Sequence, residues 1–198
     1  SAKVFADFKV RSEEGGRYVN CLFQFKQGGV EGAPVKLVAP AFINLNGQQL
    51  VADSGRYVGF FYEAALIAGT ATTEHQISYN DGRVSYEESF SLQPFTIAPK
   101  MPERMSRKFF SIQLRPALSD GDSIRVLLTD TAFLNADVNE LLPVKDGVVS
   151  INTGLLLNLK NGPVHLEILH EKALPLKNNL NGRLFTSYSL KREFLLVD

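Results

Sequence analysis

Between His75 and Leu92, apolar and polar residues alternate on both sides of a turn signal. His75, Ile77 and Tyr79 interleave with Gln76 and Ser78. After Asn80-Asp81-Gly82, the residues Val84, Tyr86, Phe90 and Leu92 interleave with Arg83, Ser85, Glu87, Ser89 and Ser91. Period-two alternation around Asp-Gly predicts two antiparallel strands with one buried face. A two-residue loop at Asp81-Gly82 sets Tyr79 against Val84, Ile77 against Tyr86, Ser78 against Ser85 and His75 against Glu88.

The same grammar recurs. Val4, Ala6, Phe8 and Val10 precede Glu13-Glu14-Gly15-Gly16, and Val19, Cys21, Phe23 and Phe25 follow. A four-residue loop there sets Val10 against Val19, Phe8 against Cys21 and Ala6 against Phe23. Short strands are expected at Val35–Val38, Phe42–Leu45 and Gln49–Val51, and a longer one from Arg56 to Ala65. Turn signals about every 8–12 residues are the spacing of a β-sandwich. Proline-rich, charged residues 99–107 then read as a linker. Beyond it the pattern restarts. Phe110, Ile112 and Leu114 turn at Ser119–Asp122 and return through Ile124, Val126 and Leu128. Strands at Val148–Ile151 and Val164–Ile168 follow, and a long strand closes the chain through Leu184, Tyr188, Leu190, Phe194 and Leu196. Helical turns are expected only at Leu155–Leu159 and Val138–Leu142, each too short to stand without packing. The fold class is all-β, with one antiparallel sandwich over residues 1–98 and a second over 108–198.

Composition narrows the partners. The 198 residues carry 21 Lys plus Arg and 21 Asp plus Glu, for a net charge of zero. Such a balance gives no global support to nucleic-acid binding. No apolar run approaches the roughly 18 residues of a membrane helix. The chain begins Ser1-Ala2-Lys3, which reads as a mature or trimmed chain with any export signal upstream. Cys21, the one cysteine, falls among Val19, Phe23 and Phe25 and reads as a buried thiol.

Candidate chemistry is sparse. His75 opposite Glu88 is the one acid-base couple the pattern yields, and it is the basis of a hydrolase alternative. His165 and His170 are five apart on one strand, so they face opposite ways and read as surface residues. Gly28–Gly32 reads as a loop. Asp120, Asp122, Asp130 and Asp137 offer oxygen ligands without an EF-hand pattern. No metal or cofactor is expected, and no catalytic residue. In Tyr57–Ala64, Tyr57 and Phe61 share one face and Val58, Phe60 and Tyr62 the other. The surplus aromatics make Tyr57 and Phe61 the candidate ligand contacts.

The stretch Thr153-Gly154-Leu155…Leu159…Gly162-Pro163-Val164-His165-Leu166-Glu167-Ile168 resembles the strand, L-x-x-L-x-x-G turn and strand of immunoglobulin-like domains in bacterial envelope proteins. Leu156, Leu159 and Gly162 fill its three positions. The first half is similar through Tyr62, the Ile77–Phe90 hairpin and Gln93-Pro94-Phe95. The paired cysteines and core Trp of antibody domains are missing. The resemblance implies a non-catalytic interaction or spacer module, periplasmic, cell-surface or extracellular, with any lipid anchor upstream of Ser1. A carbohydrate- or peptide-binding module is the alternative, so a glycan or protein partner is expected.

Overall fold

A computed structural model describes residues 4–131 and 138–198. The protein is all-β, with antiparallel pairing throughout the registers described except at one short parallel pair. By internal packing it forms two compact units. The first holds residues 1–93 and 172–187, the second 94–171 and 188–198.

In the first unit, β1 (Val4–Glu13), β2 (Tyr18–Gln27) and β3 (Pro34–Val35) are followed by β4 (Phe42–Leu45), β5 (Gln48–Gln49) and β6 (Ala52–Gly55). Then come β7 (Gly59–Ile67), β8 (His75–Asn80) and β9 (Ser85–Phe90). One sheet runs β1-β2-β7-β6, with β3 on β2, and the other runs β5-β4-β8-β9. Ala6, Phe8, Val10, Phe23 and Phe25 of the first sheet bury against Ile43, Leu45, Ile77 and Tyr79 of the second. The face assignments read from alternation are those observed, except that Val84 lies exposed in the loop before β9.

The registers are not. β1 pairs Val10 with Cys21, Phe8 with Phe23 and Ala6 with Phe25. β8 pairs Tyr79 with Tyr86, Ile77 with Glu88 and His75 with Phe90. Each is offset by two residues from the expected pairing. A two-residue offset keeps every side chain on its own face, so the hydrophobic pattern cannot detect it. Turn chemistry decides instead. The Asp81 carboxylate Oδ1 accepts the backbone N–H groups of Arg83 and Val84, both at 2.8 Å, while Asn80 Oδ1 accepts from Gly82 at 2.7 Å. These bonds stabilise a four-residue loop, 81–84, over the two-residue turn. They also hold the exposed Asp81 carboxyl below its ordinary range. Asp81→Ala is expected to cost about 1 kcal/mol, measurable by denaturant unfolding, and no loss would mean that the loop is held elsewhere.

The expected strand from Arg56 to Ala65 is broken at its start. Gly55 pairs with Gly59, and residues 56–58 turn between β6 and β7. Gly59 has φ +72°, a left-handed conformation that glycine adopts freely.

The second unit holds β10 (Thr96–Ile97), β11 (Arg104–Ser106), β12 (Phe110–Arg115), β13 (Ser123–Asp130), β14 (Val138–Pro143) and β15 (Val148–Ile151). After the helical turn α1 (Thr153–Leu156) come β16 (Gly162–Pro175) and β17 (Gly182–Val197). One sheet is β10-β12-β15; the other is β14-β13-β16-β17, with β11 parallel to β17. The two sheets share a core that includes Ile112, Leu114, Val149 and Ile151 against Ile124, Val126, Leu128 and Leu166.

Several expectations are corrected here. Ser119–Asp122 does not close a hairpin, because β12 pairs with β10 and β15 while β13 pairs with β14 and β16. Val138–Leu142 is a strand on β13 rather than a helical turn. Residues 99–107 include β11, whose Met105 joins the second core. The division at 98 and 108 also differs from the packing units, because residues 172–187 return to the first unit. The turn at Leu155–Leu159 is present: Asn152 caps α1 by accepting from Leu155 N, and Leu156 and Leu159 are buried. Among the described residues, no helix is long and apolar enough to cross a membrane.

Candidate binding cleft

The first unit carries a cleft of about 530 Å³. Its walls come from Val4 at the start of β1, the segment after β3 (Lys36, Leu37, Val38, Ala41), the β8–β9 hairpin (Tyr79, Asp81, Arg83, Tyr86), and Asn179–Asn181 between β16 and β17. Each wall is fixed locally. Tyr79 packs on Phe25 with ring centroids 4.5 Å apart, and Tyr86 stacks on Tyr79 at 5.8 Å and 17°. The observed register makes these tyrosines direct cross-strand partners. Tyr79 is buried, which pushes its phenol up to about 12, with the Asp81 charge adding to the effect. Tyr86 is only half-buried and keeps part of its ring on the cleft.

The 179–181 wall is pinned to β1. Ala6 N donates to Asn181 O at 2.9 Å, and Asn181 Nδ2 donates to Val4 O at 3.1 Å. Asn178 and Asn179 take positive φ values of 54° and 58°, which Asn tolerates better than most residues. Across the cleft, Leu37 N donates to the Tyr62 hydroxyl at 2.8 Å. Burial raises the Tyr62 phenol, and that hydrogen bond partly opposes the rise.

The other face of β1 carries a buried ionic cluster. Asp7 has a fully buried side chain and meets Lys26 Nζ at 2.9 Å, Arg183 Nε at 2.8 Å and Lys9 Nζ at 3.5 Å. Burial alone raises the Asp7 carboxyl. Hydrogen bonds from Arg183 and Lys26 outweigh it, helped by the Lys9 charge, and bring it down to about 2.

The residues singled out from sequence lie apart from the cleft. Tyr57 is 90% exposed in the β6–β7 turn, with the Arg56 guanidinium 5.5 Å from its ring centre, and Phe61 is half-buried on β7. The strand break at Gly59 separates the two, and neither lines the cleft. His75 and Glu88 do not form a couple. His75 Nε2 lies 2.9 Å from the Thr70 carbonyl, to which it donates, and its Nδ1 accepts from Asn46 Nδ2 at 3.0 Å. Glu88 accepts from Lys177 N. Both side chains are buried structural groups, separated by the two-residue register offset.

His165 is exposed and 3.2 Å from Glu193. His170 is buried 3.4 Å from Asp122, against the surface position expected for it. Cys21 is buried, and burial pushes its thiol up to about 12. Among the described residues, Asp120, Asp122 and Asp130 do not converge on a site. Asp130 accepts from Lys160 N at 2.7 Å and Asp120 from Asp146 N at 2.8 Å, while Asp137 lies outside the described residues. Among the described residues, no group of three or more His, Cys, Asp or Glu is placed to hold a metal ion.

No protein-family model matches the chain, and no curated protein matches it. A solved structure of titin aligns with 100% of this chain and 97% of its own, at 12% identity and a TM-score of 0.24. Superposition at that level carries no argument about fold or function. The all-β architecture rests on the strand pairings themselves.

Proposed function

We propose that this chain is a non-catalytic interaction module of a bacterial envelope protein, built from two immunoglobulin-like sandwich units, and that the first unit's cleft takes a carbohydrate. The observation that carries the ligand reading is the stacked Tyr79–Tyr86 pair: one ring is anchored in the core and the other is presented at a cleft with charged and amide walls. A rigid aromatic surface flanked by a few placed polar groups is the chemistry of a small-molecule site. The envelope setting, whether periplasmic, cell-surface or extracellular, rests on the resemblance at Leu156, Leu159 and Gly162. Without a ligand the same architecture serves as a spacer.

A glycan array probed with the purified chain tests this reading. Binding is expected, and Tyr86→Ala is expected to weaken it about five- to tenfold, with the thermal midpoint followed as a folding control. Tyr57→Ala should leave it unchanged. A loss in Tyr57→Ala alone would move the site to the exposed β6–β7 turn, and silence across all glycan classes would leave the spacer role.

A further inference from the structure

We infer that the ligand is an anionic saccharide whose carboxylate sits between Lys36 and Arg83 with a sugar face against Tyr86; this rests on the cleft being a glycan site. Lys36 and Arg83 both line the cleft and both are exposed. The salt bridges described for the first unit are made by other cations, while the Arg83 charge helps to hold the Asp81 carboxylate ionised. Asp81 is the one carboxylate in the lining, and its Oδ1 is engaged by two backbone N–H groups of its own turn. Two cations against one engaged anion leave the cleft net positive in a chain whose overall charge is zero. A guanidinium fork matches a carboxylate with two parallel hydrogen bonds, and a lysine beside it adds a mobile point charge.

The backbone of the walls argues against a peptide laid in as an extra strand. That mode needs free main-chain groups. Here Leu37 N is taken by Tyr62, Ala41 N by the Val38 carbonyl at 3.0 Å, and Val4 O and Ala6 N by Asn181. At these positions recognition falls to side chains, which suits a ligand that is rich in hydroxyls and carries charge at fixed points. Asn179, whose amide can both donate and accept, also lines the cleft.

Calorimetric titration with oligomers of galacturonate, glucuronate and mannuronate, each beside its methyl ester, tests the inference. Esterification removes the charge and keeps the ring. At least one free acid is expected to bind about tenfold more tightly than its ester. Lys36→Gln and Arg83→Gln should each weaken the acid about three- to tenfold and leave the ester unchanged. Added salt should weaken only the acid. Both positions are exposed, so both variants should keep the parent's thermal midpoint. Equal binding of acid and ester, or no effect of the two variants, overturns the anionic assignment; Tyr86-dependent binding of the ester or of a neutral glycan would then leave the cleft reading standing. Tighter binding of an oligoglutamate peptide overturns it in favour of an acidic protein. No binding by any of the acids overturns it too, and a silent glycan array alongside would remove the cleft reading as well.

Discussion

Asp7→Asn is expected to lower the stability of the first unit by about 3 kcal/mol, read as a shift of the denaturant midpoint. Asp7 lies on the face of β1 opposite Ala6 and Phe8, yet its side chain is fully buried. Lys26, Arg183 and Lys9 surround it, and Lys26 also donates to the Val30 carbonyl at 2.9 Å. Removing the one anion leaves the Lys26 charge, largely removed from water, and the part-exposed Arg183 charge without their counter-charge. That costs more than the net worth of the pairs. The same carboxylate sets a pH dependence. Unfolded, Asp7 takes up its proton near 3.8; folded, it does so at about 2. The folded state thus favours the ionised form. Its contribution, about 2 kcal/mol, is whole above the unfolded value and is lost as the pH falls through the folded one. The parent should lose this stability between about pH 4 and 2, and Asp7→Asn should lack that part of the decline. Parallel acid-unfolding profiles for the two proteins would refute the role of the cluster.

The second large effect is at Gly182, where the chain enters β17. A Cβ there would lie 2.1 Å from the Ala6 carbonyl oxygen and 2.7 Å from Leu176 Cδ1. Ala6 is a buried β1 residue paired with Phe25, so its carbonyl cannot retreat without moving the strand. Gly182→Ala is therefore expected to destabilise by about 2–3 kcal/mol through overpacking. Gly69→Ala, whose Cβ meets nothing within 4 Å, is the control and should be near neutral. Equal stability of the two variants in urea unfolding would mean that residues 172–187 do not hold to β1 as closely as described.

Both effects fall on one element. Residues 172–187 supply Arg183 to the ionic cluster, Leu176 and Leu184 to the first core, and Asn179–Asn181 to the cleft. The sequence pattern does not show that these residues belong with the first unit. The alternation of Leu184, Tyr188 and Leu190 announces one continuous strand face, and it is one. Alternation says which side of a strand is buried but not under which core. Leu184 packs in the first core, Tyr188 and Leu190 in the second.

The cleft was hidden for a related reason. Alternation puts Tyr79 and Tyr86 on the inward face, where Tyr79 is buried and Tyr86 half-buried, but the expected register keeps them from being partners. Lys36 and Asn179 sit in segments without periodicity, where position depends on what the loop folds against. One local signal was available: the run Lys177-Asn178-Asn179-Leu180-Asn181-Gly182 has the composition of a turn with left-handed residues. The pair His75 and Glu88 failed for the same reason that Tyr79 and Tyr86 were missed.

By itself, then, the sequence determined the all-β class, most of the inward faces and the burial of Cys21, because burial enforces a period of two along each strand whatever its neighbours are. It also determined the capped turn at Leu155–Leu159, a matter of local hydrogen bonding. The tertiary structure alone decided the two registers, the pairing of β12 and β13 into different sheets, and the return of residues 172–187 to the first unit. A slip of two residues keeps every face, and a partner distant in the chain leaves no periodic trace. Those choices fall to turn hydrogen bonds, to a buried carboxylate with three cations, and to a glycine where two backbones meet.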